Sequence, residues 1–180
     1  LIDVADFIAC HNPSYVIRYD MLSAIREGGT FLLNSPWSAE DMEKELPAAM
    51  KNIIAQKKLR FFNLNCNKIN DELELRGKGI NTCLQAAFFK LANIIPIEDA
   101  VKYMKDAATA SYSKKGDAIV KMNHDAIDAG ACQVVKVEVP ASWKDAKDEV
   151  VADTNDGTKL GKMVKNIMEP VGKMDGDSLP

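Results

Sequence analysis

The chain has 180 residues, 47% of them hydrophobic and 27% charged, and a formal net charge of −3, a balance that suits one soluble domain with a sizeable core. The mildly acidic charge argues against a general nucleic-acid binder, which carries a basic stripe. No apolar run reaches the roughly 18 residues needed to cross a bilayer, and there is no signal-peptide pattern of basic, apolar and small residues.

The first element is a short apolar strand, Phe7-Ile8-Ala9-Cys10, that meets a polar elbow at His11-Asn12. Asn12 is placed to cap a helix with Pro13 at its first position, where a missing N–H costs nothing. Tyr15, Tyr19, Leu22 and Ile25 then share a helical face, and Gly28-Gly29 reads as the stop. A second strand, Thr30 to Leu33, breaks into Asn34-Ser35-Pro36-Trp37, and Ser38 with Asp41 has the spacing of a capping box. Pro47 restarts a helix through Met50, Ile53 and Ile54, and Leu59 to Leu64 reads as a third strand.

Cys66 to Leu75 is predicted as a helix, followed by a break at Arg76-Gly77-Lys78-Gly79. Ile80 to Ala92 is apolar nearly all round and is expected to be buried. Helices are predicted over Glu98 to Ala108, after Pro96, and over Asp117 to Ala129. Beyond Gly130, Val135, Val137 and Val139 alternate with Lys136 and Glu138 as in an exposed strand, ended by Pro140 to Trp143. Lys144 to Gly157 reads as a polar linker and Leu160 to Met168 as a last short helix.

This order predicts an α/β fold: a three-layer α/β/α arrangement with a mostly parallel sheet and an extended C-terminal connector. Three parallel strands are few for a sheet that needs cover on both faces. Leu1 is no initiator and Ser178-Leu179-Pro180 is no finished tail. The expectation is therefore a piece of a longer polypeptide, with partner strands upstream of Leu1.

Cys10, Cys66, Cys83 and Cys132 lie far apart without a C-x-x-C pair, a spacing that suits neither zinc nor an iron–sulfur cluster. Reduced thiols in a reducing cytoplasm are expected. His124 has no carboxylate or cysteine placed to form a site with it.

Ligands of parallel α/β sheets bind beyond the carboxyl ends of the strands. That rule singles out His11, Asn12 and Ser14 at one elbow, and Asn34, Ser35 and Trp37 at the next, with the indole available for stacking. Arg76, Gly77, Gly79 and Asn81 place glycines and a cation, beside Lys78, before a helix start, a chemistry that suits phosphate. The bland alternatives are a self-capping Asn12, a Trp37 packed over its loop, and a solvated basic turn. No catalytic residue stands out.

Four stretches carry a family resemblance: Ala5 to Tyr15 (ADFIACHNPSY), Glu27 to Glu40 (EGGTFLLNSPWSAE), Leu84 to Pro96 (LQAAFFKLANIIP) and Val135 to Trp143 (VKVEVPASW). They resemble pyruvate:ferredoxin (flavodoxin) oxidoreductase, and the similarity runs essentially end to end. The resemblance implies that residues 1–131 are the later part of the gamma-type third domain. Residues 132–180 would be the connector to a ferredoxin-like domain.

For the intact enzyme the resemblance implies pyruvate decarboxylation on thiamine diphosphate with Mg, electron transfer through 4Fe-4S clusters to ferredoxin or flavodoxin, and release of acetyl-CoA. It also implies a homodimer. The gamma-type region would help to hold coenzyme A and pack against other domains of the same polypeptide; no nucleic acid or membrane is expected as a partner. A cytoplasmic location is implied, or a hydrogenosome or other organelle in an anaerobic eukaryote. One departure stands out: where the family more often reads Leu-Gly-Gly-Arg-Ile-Asn, this chain has Leu75-Arg76-Gly77-Lys78-Gly79-Ile80-Asn81. The alternatives are a purely structural packing module, or the equivalent region of a pyruvate:NADP oxidoreductase.

Overall fold

The computed structural model describes residues 3–75, 79–147, 162–163, 166–167 and 169–172. Strand β1 (Ala5–Cys10) is followed by helix α1 (Tyr15–Arg18), strand β2 (Ile25–Leu33), helices α2 (Ala39–Glu45) and α3 (Ala48–Gln56), and strand β3 (Arg60–Asn63). Helices α4 (Cys66–Glu72), α5 (Ile80–Ala92), α6 (Ile97–Tyr112) and α7 (Asp117–Cys132) precede strand β4 (Val135–Lys136), and a 3-10 turn covers Ala141–Asp145. The strands form one sheet in the order β1-β2-β3-β4, with parallel pairing except for the antiparallel β3–β4 pair. Most of the predicted helix Leu160 to Met168, most of the predicted linker, and Arg76, Gly77 and Lys78 lie outside the described residues.

Alternate side chains along each strand feed two cores, as the period of two requires. Cys10, Phe31, Leu33 and Phe61 point to one face, under Met42 and Leu46 of the α2 region and Met50 and Ile54 of α3. Leu32 points to the other face with Phe7, Ala9 and Phe62, against Cys66 and Ile69 of α4, Cys83, Leu84 and Ala87 of α5, and Ala126 of α7. The Phe31 and Phe61 rings stack across the β2–β3 pair with centroids 5.2 Å apart. An aromatic pair of this kind adds about 0.5–1.5 kcal/mol beyond its burial.

Both faces of the sheet are therefore covered by the chain's own helices, few though its parallel strands are. The cover over the second face comes from long-range packing of α5 and α7, which strand counting does not register. What stays open among the described residues is an edge: β1 pairs only with β2, and its Phe7, Ile8 and Ala9 are half-buried where Phe31 to Leu33 are fully enclosed.

The helix predicted from Pro13 to Gly28 is a single turn, α1. Tyr19 is extended (φ −128°, ψ 135°), and Leu22 and Ile25 drop into the first core instead of continuing along a helical face. Gly28-Gly29 lies inside β2, where the β1–β2 register shifts between Ala5 and Phe7. Gly28 has φ +71°, a conformation that glycine adopts at no steric cost, so the pair makes a bulge and not a helix stop.

Gly130 of α7 has a different reason: a Cβ there would lie 2.3 Å from the Cys83 carbonyl oxygen, so this glycine lets α7 press against α5. At the other end of the sheet only Val135 and Lys136 pair as β4, while Val137 turns inward and donates its N–H to Phe61 O at 2.9 Å. Trp143 is 1% exposed, packs in the Phe61 core and bonds through Nε1 to Glu43 Oε2, which brings the following chain back onto α3.

The capping box at α2 is formed as predicted: Ser38 Oγ accepts from Asp41 N at 3.1 Å and Asp41 Oδ2 accepts from Ser38 N at 2.9 Å. The Ser38 backbone N–H, then the Ser38 hydroxyl, hold the Asp41 carboxyl below its ordinary value of 3.8. A depressed folded value stabilises the protein above the unfolded value and is lost as pH falls through the folded one. Ser38→Ala is expected to cost about 1 kcal/mol near neutral pH. In denaturant titrations that difference should shrink as pH falls below 3.8, once the partner carboxylate is protonated.

Candidate functional site

The strands β1, β2 and β3 end at one level, because Cys10 pairs with Leu33 and Leu33 with Asn63. Beyond that level the ladder continues for one more bond on each side. Asn34 N donates to Cys10 O at 2.9 Å, and Leu64 N to Leu33 O at 2.9 Å. Parallel strand ends leave backbone groups that need partners once buried, and asparagine side chains supply them here.

Asn34 is 2% exposed. Its Nδ2 donates to His11 O at 2.8 Å and its Oδ1 accepts from Cys66 N at 2.9 Å. One carboxamide thus joins the end of β1, the end of β2 and the start of α4. Asn63 does the same between β3 and the loop after β2: its Oδ1 accepts from Ser35 Oγ at 2.9 Å, and its Nδ2 donates to Ser35 O at 3.1 Å. Asn70 continues the line, with Nδ2 donating to Cys66 O at 2.7 Å and Oδ1 accepting from Gly79 N at 2.9 Å. A Cβ at Gly79 would fall 2.4 Å from Leu75 Cδ1, so the end of that leucine would have to shift to admit a side chain.

These bonds sort the predicted site residues. Asn34 and Ser35 are buried with their side chains engaged by the protein, and Gly79 is joined to them through Asn70 and Cys66. His11, Asn12 and Ser14 are exposed on the elbow after β1. Asn12 Oδ1 accepts from Ser14 N at 3.0 Å, and Cys10 Sγ donates to Asn12 O at 3.1 Å, so the elbow is shaped from within. Burial pushes the Cys10 thiol up and keeps it the donor in that bond.

Trp37 is half-buried against the α2–α3 core, with its carbonyl facing Asn63 Nδ2 at 3.5 Å. Asn81 is exposed in the first turn of α5. Arg76 and Gly77 lie outside the described residues. The structure therefore brings His11, Asn12, Ser14, Asn34 and Ser35 to one sheet end. Sequence reading missed Asn63, Asn65 and Asn70. The signal was present: Asn63-Leu64-Asn65 follows the third strand as His11-Asn12 and Asn34-Ser35 follow the first two.

Among the described residues no three of His, Cys, Asp and Glu come together as a metal site. The described residues offer no ligand set for the metal or the iron–sulfur clusters implied by the resemblance. Among those residues, too, no helix is long and apolar enough to cross a membrane.

An α/β domain with a hydrogen-bonded polar centre beyond its parallel strand ends is a ligand-holding or domain-packing unit by class. The family is settled by comparison: residues 1–132 match the profile of the pyruvate ferredoxin/flavodoxin oxidoreductase family, and the chain belongs to that family. It is 49% identical over 180 residues to a pyruvate:ferredoxin oxidoreductase of Moorella thermoacetica, covering 100% of this chain and 15% of that protein. It is 44% identical over 180 residues to a pyruvate-flavodoxin oxidoreductase of Enterobacter agglomerans, with the same 100% and 15% coverage. A mitochondrial pyruvate dehydrogenase [NADP(+)] of Euglena gracilis is 45% identical over 183 residues, 100% of this chain and 10% of that protein. The chain thus spans a small fraction of the length of these relatives.

Asn34→Ala removes both bonds and leaves His11 O and Cys66 N without their side-chain partner. With an uncompensated buried polar group costing about 1–3 kcal/mol, the variant should lose roughly 2–4 kcal/mol. Asn34→Asp keeps an acceptor for Cys66 N and loses the donor to His11 O. Equilibrium denaturation should show both variants destabilised, Asn34→Ala at least as a full two-bond loss.

Proposed function

We propose that the chain is part of a pyruvate:ferredoxin/flavodoxin oxidoreductase and that the elbow at its strand ends holds coenzyme A. In this reading the whole enzyme converts pyruvate and coenzyme A to acetyl-CoA and CO2, passing two electrons to ferredoxin or flavodoxin. Thiamine diphosphate with Mg supplies decarboxylation and 4Fe-4S clusters carry the electrons; other domains of the polypeptide bind them. Residues 1–131 act as the gamma-type unit and 132–180 as the connector toward a ferredoxin-like domain. The enzyme works as a homodimer, in the cytoplasm or an organelle of an anaerobic eukaryote, and this region alone has no pyruvate oxidation activity.

The observation that carries the reading is the division of labour at the strand ends. Asn34 and Asn63 anchor the backbone from below, while His11, Asn12 and Ser14 stand exposed on the anchored elbow. A backbone fixed in advance loses little entropy when it meets a ligand. Exposed imidazole, carboxamide and hydroxyl groups suit the phosphate and amide oxygens of coenzyme A, and Trp37 offers an edge for its adenine. Arg76, Gly77 and Asn81 join this proposal through the chemistry of glycines and a cation before a helix.

A second reading, a packing module without a ligand, draws support from the same buried bonds, because the Asn34 and Ser35 side chains are buried and bonded within the protein. A third places the chain in an NADP-linked form, as in the relative from Euglena gracilis. The discriminating experiment uses the full-length enzyme with His11→Ala and Asn12→Ala combined. The expected outcome is a KM for coenzyme A raised about tenfold, the equivalent of 1.4 kcal/mol, with KM for pyruvate unchanged. An unchanged KM for coenzyme A would favour the packing module.

A further inference from the structure

Helix α6 is lightly held by the rest of the protein. Of its 16 residues only Ala100 is buried, and Tyr103 is 62% exposed. Between α6 and the packed pair α5 and α7 lies a cleft of about 410 Å³. Clefts that take small molecules run from about 300 to 1,000 Å³. None of the residues assigned above to coenzyme A lines it, so whatever it holds is held independently of the strand ends.

The lining has three chemical features. Phe89, Tyr103 and Tyr112 bring aromatic rings to it from α5 and from both halves of α6. Thr82 and Gln85 line it with side chains that have no hydrogen-bond partner among the described residues. Asn123 of α7 donates through Nδ2 to Ile119 O at 2.8 Å and keeps its Oδ1 unengaged. Among the described residues no Asp, Glu, Lys, Arg or His lines the cleft.

We propose that this cleft is a binding site for a neutral heteroaromatic ring with hydrogen-bonding edges, the chemistry of the base in an uncharged nucleoside. A charged ligand leaving water would meet no counter-charge there, which disfavours anions and cations alike. A purely aliphatic ligand would strip water from half-buried Thr82 and Asn123 and return no hydrogen bond. A flat ring with donors and acceptors on its edge answers both constraints. Its faces suit the aromatic side chains, and its edge suits the hydroxyl of Thr82, the carboxamide of Gln85 and the free oxygen of Asn123.

The test photolabels the full-length protein with 8-azidoadenosine, digests it and maps the adducts by mass spectrometry. The expected result is label on peptides carrying Gln85, Tyr103, Tyr112 or Asn123, suppressed by excess adenosine and not by benzoate, a charged ring. Ala107 lines the cleft from an exposed position on α6, so Ala107→Trp fills the space without entering the core. It should cut this labelling about tenfold. Gln85→Ala, also at an exposed position, should cut it about two- to tenfold, the worth of one neutral hydrogen bond. Label confined to other peptides, the elbow after β1 included, would overturn the proposal. So would labelling that benzoate suppresses as well as adenosine does, or that Ala107→Trp leaves unchanged.

Discussion

The carboxamide of Asn34 is the interaction on which this architecture turns. Three parallel strands converge on one level, and just past that level the buried N–H of Cys66 needs a partner that water cannot supply. A single side chain accepts from the first N–H of α4 and donates to the carbonyl that follows β1. Without it, the start of α4 would carry a buried unpaired N–H and the elbow after β1 would lose its tie to the sheet. That cost is comparable to a sizeable share of the net stability of a domain.

Asn34 does not act alone. Asn63 binds the loop after β2 to the end of β3, and Asn70 links the first turn of α4 to the start of α5. The three amides form a continuous polar seam through an otherwise apolar interior, with every member paired. Such a seam rigidifies the chain where it emerges from the sheet, because each bond fixes the geometry of the next. The exposed residues of the elbow after β1 are presented on that seam. If the elbow holds a ligand as proposed, it does so on amides that face inward as much as through the side chains that face outward.

The sequence disclosed those parts of the fold whose signals are local. The Ser38–Asp41 box, the restart at Pro47 and the apolar run of α5 depend on spacings of a few residues, and each appears where the spacing puts it. Gly28-Gly29 was ambiguous for a physical reason: glycine at positive φ ends helices and bulges strands alike. Whether Leu22 and Ile25 continue a helix or enter the core depends on α3, far along the chain. The cover over the second face was equally hidden, because it needs Gly130 to bring α7 against Cys83. At the site, the types of residue were legible and their internal bonds were not: Asn34 and Ser35 read as candidate ligand contacts, and the structure joins both side chains to the protein.

The most direct test follows the amide hydrogen of Cys66 by native-state hydrogen exchange in the full-length protein. If Asn34 holds the strand ends as described, that amide exchanges only through the largest opening that the β2 amides also require, and Asn34→Ala raises its exchange to the rate of a locally frayed helix end. Fast exchange of the Cys66 amide in the unaltered protein, or protection that survives loss of the Asn34 side chain, would contradict the account.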